Sequence, residues 1–248
     1  MYHNKLKLNY EKTEFITFGR PASLAKLENV SLNIGQSTIF PSDVVRNLGV
    51  NMDKELNYQY YISLKARSCF NHLREIRHIR PCLTKKATQA LVYAEVTSRL
   101  DFSNSLLLGI PKFSINRLQQ VQNCAARLIM GTRKFDNISP VLKELHLLPI
   151  HRRLQVKVLV LVYRALHGMM PVYISDMLHP AFHSRSLRSS ERFLLKIPRS
   201  RLVSAGDRAF SCAAPAFWNS LPENIKSADS ILAFKRLLKT FFFSTHFV

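Results

Sequence analysis

The segment from Ile150 to Leu166 constrains this fold more than any other stretch. It is apolar on most sides, and its front end, His151-Arg152-Arg153, is basic. A helix that apolar belongs at the centre of a core, because no surface orientation hides it from water. Gly168 and then Pro171 stop it: glycine accepts the left-handed backbone of a helix end, and proline cannot extend a helix. The most apolar run, 156–166, is broken by Lys157 and Arg164 and is too short to span a bilayer. The chain is therefore expected to build a helical core around this segment. With 248 residues, 47% of them hydrophobic, it is long and apolar enough to do so.

Other segments supply partners for that helix. Residues 61–77 carry Ile62, Leu64, Ala66, Cys69, Phe70, Leu73 and Ile76. Arg67, Arg74 and Arg77 fall on one helical face there, since seven residues make nearly two turns. Thr84 is the expected N-cap of a helix running to about Arg99. Ser114 is expected to cap the next helix, with the stripe Ile115, Leu118, Val121, Ala125, Leu128 and Ile129, and Gly131 to stop it. A last helix is expected from Ser230 to Phe242. Residues 180–205, rich in Arg and Ser, read as irregular.

The beginning of the chain reads as β-rich. Residues 5–9 alternate, 13–18 are β-branched and aromatic, and 30–34 alternate again. Gly35-Gln36 is a turn signal before a partner run at 37–40, which makes a hairpin. Residues 44–50 read as one further strand. The expected fold class is α+β, mainly α: a short β-rich part over 1–57, a helical region over 58–135 and a helical extension over 136–248.

Charge divides the chain along similar lines. The formal net charge is +20, from 36 basic and 16 acidic side chains. Residues 1–60 hold only 7 of the basic and 6 of the acidic ones, so nearly all of the surplus lies after residue 60. Such a surplus repels itself in a compact state and points to a polyanionic partner. Basic clusters include Lys65 and Arg67, Arg74 to Arg80, Lys85-Lys86, Arg117 to Arg127, and Arg152-Arg153. Guanidinium and ammonium groups hold phosphates without reading bases.

Catalytic chemistry has little support. The acids are few and dispersed, with no Asp-Asp pair for a two-metal site. There is no glycine-rich phosphate loop and no G-x-S-x-G or H-E-x-x-H motif. His72 and His78 are six apart, which is not the spacing of one helical face. Cys69, Cys82, Cys124 and Cys212 form no C-x-x-C pair and read as reduced, mostly buried thiols. Met1-Tyr2-His3-Asn4-Lys5 leads into no apolar run, so no secretory signal is expected. The expected location is intracellular, in nucleus or cytoplasm.

Nine blocks in order resemble one known family. They are Asn4-Lys5-Leu6-Lys7-Leu8-Asn9-Tyr10-Glu11-Lys12-Thr13-Glu14; Leu48-Gly49-Val50-Asn51-Met52-Asp53; Ser98-Arg99-Leu100-Asp101-Phe102-Ser103-Asn104-Ser105-Leu106-Leu107; and Leu118-Gln119-Gln120-Val121-Gln122-Asn123-Cys124-Ala125-Ala126-Arg127-Leu128. Then come Pro140-Val141-Leu142-Lys143-Glu144-Leu145-His146-Leu147-Leu148-Pro149-Ile150; Leu166-His167-Gly168-Met169-Met170-Pro171; and Leu187-Arg188-Ser189-Ser190. The last two are Ala214-Pro215-Ala216-Phe217-Trp218-Asn219-Ser220-Leu221-Pro222 and Phe234-Lys235-Arg236-Leu237-Leu238-Lys239-Thr240. In this order they resemble the carboxyl-terminal part of reverse transcriptases of jockey-type non-LTR (LINE) retrotransposons, RNA-directed DNA polymerases.

The resemblance implies a fragment. The family's Tyr/Phe-Ala-Asp-Asp metal site is not in this sequence, so no catalytic residue and no metal ligand is expected, and Mg²⁺ belongs only to a full-length parent enzyme. Residues 1–57 look like a palm remnant, with Leu32, Ile34, Gly35, Gln36 and Ile39 in a hairpin like the primer grip. The helices from 58 look like the thumb, which tracks a template–primer duplex. On that basis Lys65, Arg67, Arg74 and Arg77 are the expected phosphate contacts, followed by Lys85 and Lys86, then Arg117, Arg127, Arg152 and Arg153. The implied partners are RNA and DNA, as template–primer duplex and target DNA, with no membrane, and missing fingers and palm supplied by a longer product. Trp218 is expected in the core rather than stacked on a base. Two other readings stand beside this one. One is an inert product of a decayed element, whose strands would expose unpaired edges. The other is a host-recruited protein-interaction module docking through the palm remnant.

Overall fold

A computed structural model describes residues 9–27, 30–35, 37–181, 194–200 and 206–247. The fold is α+β and mainly α, with two small two-stranded antiparallel sheets before the long helices. The chain divides into two compact units, Met1–Lys65 and Ala66–Val248.

The first unit holds the strands. After a short helix α1 (Pro21–Leu24) come β1 (Leu32–Ile34) and β2 (Ser37–Ile39), paired with Leu32 opposite Ile39 and Ile34 opposite Ser37. This is the expected hairpin, with Gly35 at φ +62° at its tip; Gln36 lies outside the described residues. The expected single strand over 44–50 is instead a second hairpin, β3 (Val44–Asn47) with β4 (Val50–Asp53). Leu48 (φ +45°) and Gly49 (φ +83°) make its turn. Two successive left-handed residues match the twist of the flanking strands. Leucine in the first of those positions is no turn signal, and that hid the turn. The strand expected over 13–18 does not form. Its main chain makes one isolated bridge, Phe15 to Pro41, and Phe15 O accepts from the Ser42 N–H at 2.7 Å. Composition alone does not make a strand when no sheet edge offers it a ladder. Of the expected strand at 5–9, only Asn9 is described. Asp53 closes the strand region: its carboxylate accepts from the Asn57 N–H at 2.9 Å and the Tyr58 N–H at 2.6 Å. The chain then enters α2 (Gln59–Ile79).

The second unit is helical. Thr84 caps α3 (Lys85–Val92), its hydroxyl accepting from the Ala87 N–H at 3.2 Å. One wider turn, Tyr93–Thr97, leads on into α4 (Ser98–Asp101), so the expected helix reaches slightly past Arg99. Next is α5 (Lys112–Met130). Its cap is not Ser114, which is buried inside the helix with no hydrogen-bond partner for its hydroxyl among the described residues. Pro111 precedes the first turn instead, and its carbonyl accepts from the Ser114 N–H at 3.0 Å. The proline ring pre-sets φ, and the extended ψ aims the carbonyl into the turn. Pro149, Pro171 and Pro222 stand in the same position before later helices.

Gly131 ends α5 in the left-handed region, φ +72°, with its N–H on Arg127 O at 2.8 Å. A Cβ added there meets nothing within 4 Å. Gly131→Ala is therefore expected to cost only the backbone strain, about 1–2 kcal/mol, read as a lowered urea midpoint with an unchanged slope.

The central helix is α7 (Ile150–Leu166), reached through α6 (Ile138–Glu144). It packs against α5 and, after the short α8 (Val172–Ser175), against α9 (Phe210–Asn219) and, beyond α10 (Glu223–Lys226), α11 (Ile231–Phe247). Leu159, Val162 and Tyr163 of α7 meet Trp218 of α9 and Phe234 and Leu238 of α11 in one buried cluster. Position 135 lies between α5 and α6, which pack together within this unit. The last helix runs five residues beyond Phe242. The hydroxyls of Thr240, Ser244 and Thr245 bond back to carbonyls in their own helix and so do not stop it. Of the irregular segment expected at 180–205, residues 182–193 and 201–205 lie outside the described residues. None of the four cysteines is in a disulfide; Cys69 is buried and Cys82 is exposed.

Candidate nucleic-acid interface

Helix α2 sorts its side chains by angle. Ile62, Ala66, Cys69, Leu73 and Ile76, three or four apart, are buried. Arg67, Arg74 and Arg77 are exposed along one flank of that stripe. At 1.5 Å per residue, Arg67 to Arg77 span about 15 Å, about four phosphate steps of one duplex strand. Among the described residues no carboxylate pairs with them. The nearest acid in sequence, Glu75, is engaged with His72 at 3.3 Å. Leu64 and Phe70 are exposed rather than part of the core stripe. Phe70 is three residues from Arg67 and four from Arg74, so it neighbours both on the helix surface.

Other expected phosphate ligands are placed differently. Lys65 is 9% exposed, and its ammonium lies 4.6 Å from the centroid of Tyr61. It falls on the buried stripe, three residues after Ile62 and four before Cys69. Burial first, and then the neighbouring Tyr58, push the Tyr61 hydroxyl up to about 12, so the ring beneath the ammonium is neutral. Arg127 is taken up by the chain's own carbonyls: Nε donates to Arg133 O at 3.2 Å and Nη2 to Asp136 O at 3.1 Å. Arg152 lies over Phe242 at 5.3 Å and donates to Gln155 Oε1 at 3.0 Å. Arg153 forms an ion pair with Asp101 and is largely buried. Arg152 and Arg153 at the front of α7 are thus engaged by the chain's own side chains, while His151 is exposed. His151 has its pKa lowered, by partial burial first and then by Arg152 and His246.

Lys85 is exposed and pairs with Glu144 at 2.9 Å; Lys86 and Arg117 are exposed. A pair between exposed side chains is worth little and opens readily for a phosphate. In the hairpin, Leu32 is exposed while Ile34 and Ile39 are half-buried. Among the described residues no group of three His, Cys, Asp or Glu side chains is arranged to hold a metal ion. Among them, too, no helix is long and apolar enough to cross a membrane.

A second basic site was not foreseen from the sequence. Lys157 and Arg164 of α7 line a cavity of about 430 Å³ together with Lys235 and Lys239 of α11. The spacings of seven and four place each pair on one helical face. Nothing in the sequence joins two helices so far apart. Comparison with protein-family models, with curated proteins and with solved structures gave no match.

Proposed function

We propose that the chain is a nucleic-acid-binding part of a non-LTR retrotransposon reverse transcriptase, holding a template–primer duplex through basic helices. The observation that carries this is the row Arg67, Arg74 and Arg77, exposed on one side of α2 and unopposed by carboxylates among the described residues. Lys86 and Arg117 add exposed charge in the same unit, and Lys85 adds more on release of Glu144. These are backbone contacts, so binding tolerates any sequence and tracks the shape of an RNA–DNA hybrid.

The experiment is a salt titration of binding to a labelled RNA–DNA hybrid. With ~5 phosphates neutralised, log K against log salt is expected to fall with a slope of about −4 to −5. Scrambled hybrids of equal length are expected to bind equally. A flat salt response overturns the reading.

A further inference from the structure

The cavity between α7 and α11 carries a ligand chemistry of its own, built from residues other than those of the α2 face. Five cations line it against one carboxylate, Asp101, and that carboxylate is already paired with Arg153. Lys157, Arg164, Lys235 and Lys239 remain, with no carboxylate partner among the described residues. Four like charges around one cavity repel each other, and a dianion placed among them removes that cost. Arg164 offers a planar fork that holds two phosphate oxygens at once, and the three lysines are mobile point charges.

A second, independent observation comes from Asn104. This side chain also forms part of the cavity wall and is 3% exposed. Its amide nitrogen donates to Asp101 Oδ1 at 3.2 Å, which fixes which end of the amide is oxygen. The oxygen, Oδ1, has no hydrogen-bond partner among the described residues. A buried acceptor left unpaired is costly. Oδ1 is itself sealed from solvent, so a small shift of the wall brings it to a hydroxyl or amino donor on a ligand. The remaining wall is apolar, with Leu148, Val156, Val160 and Leu161. The volume falls within the range of small-molecule sites.

Anion, donor and apolar face together describe a nucleotide. We infer that the α7–α11 cavity binds a nucleoside monophosphate group, with the phosphate on Lys157, Arg164, Lys235 and Lys239 and a donor of the nucleoside toward Asn104. The same group exists as a free mononucleotide and as the 5′-phosphorylated end of a strand.

Calorimetry on the full chain tests this with adenosine 5′-monophosphate, adenosine and inorganic phosphate. The monophosphate is expected to bind at least tenfold more tightly than phosphate, and adenosine not detectably. The double variant Lys235→Gln, Lys239→Gln changes two exposed side chains. It is expected to melt no lower than wild type, since two mutually repelling charges are removed, and to lose at least tenfold in affinity for the monophosphate. Competition then identifies the source. Displacement by a 5′-phosphorylated oligonucleotide, but not by its 5′-hydroxyl form, assigns the site to a strand end. Failure of both to displace assigns it to the free nucleotide. Adenosine monophosphate binding no more tightly than phosphate, or unchanged affinity in the double variant, overturns the inference.

Discussion

Trp218→Ala is expected to cost the second unit about 3–5 kcal/mol. Trp218 is 1% exposed and fully within the central cluster. Its ring lies 6.0 Å from that of Phe234, which stacks at 4.4 Å on Tyr163. Tyr163 is in turn held by its hydroxyl, which donates to Ala228 O at 2.7 Å. Next to Trp218, Asn219 exchanges two hydrogen bonds with the Leu195 main chain, accepting at 2.9 Å and donating at 2.8 Å. Each neighbour is therefore fixed by something other than Trp218, and the space it leaves does not close by relaxation. For a unit of this size the loss corresponds to a melting temperature about 6–20 °C lower. Thermal unfolding followed by circular dichroism reads it directly, and a loss below about 1 kcal/mol shows that the aromatic stack is not the core. The same scan bears on the reading of the chain as an inert product. A packed core melts cooperatively, whereas a decayed sequence without selected packing gives a broad, non-cooperative curve.

Local rules wrote much of this fold into the sequence. The span from Ile150 to Leu166 is legible because an all-round apolar helix has one place to go, and α7 occupies it with the same ends. Thr84 and Gly131 act as the cap and the stop their chemistry predicts. Where the reading missed, a less common device was at work. Pro111 precedes α5 instead of Ser114, because an extended proline delivers its carbonyl to the first turn without a side-chain cap. Leu48-Gly49 turns the second hairpin although leucine seldom takes a left-handed backbone.

The candidate interface was legible in part for the same reason. Arg67, Arg74 and Arg77 share one helix, so their common side follows from spacing alone. The burial of Lys65 also lay in the spacing, since it falls between Ile62 and Cys69 on the apolar stripe; its charge obscured that position. Arg127, Arg152 and Arg153 were not legible, because their partners, Asp136 O, Phe242 and Asp101, are contributed by other elements. The cavity of Lys157, Arg164, Lys235 and Lys239 is wholly tertiary and has no local signature.

The triple variant Arg67→Glu, Arg74→Glu, Arg77→Glu is expected to bind an RNA–DNA hybrid on the order of 10²–10³-fold more weakly at 0.1 M salt. The figure follows from counterion release, with each lost phosphate contact removing about 0.9 from the log–log slope, so the slope is expected to flatten by about 3. Stability is expected to stay within about 0.5 kcal/mol of wild type, because all three side chains are exposed and none holds a carboxylate among the described residues. Arg153→Gln is the control in the opposite direction. It leaves the Asp101 carboxylate without its cation, which is expected to lower stability by about 1–3 kcal/mol. Its effect on the hybrid is expected to be small, since Arg153 is committed inside the protein. Fluorescence anisotropy across a salt series and urea unfolding on both variants separate the two roles. An unchanged affinity and slope in the triple variant remove α2 from the interface. A loss of binding in Arg153→Gln equal to that of the triple variant assigns phosphate contact to the front of α7 instead.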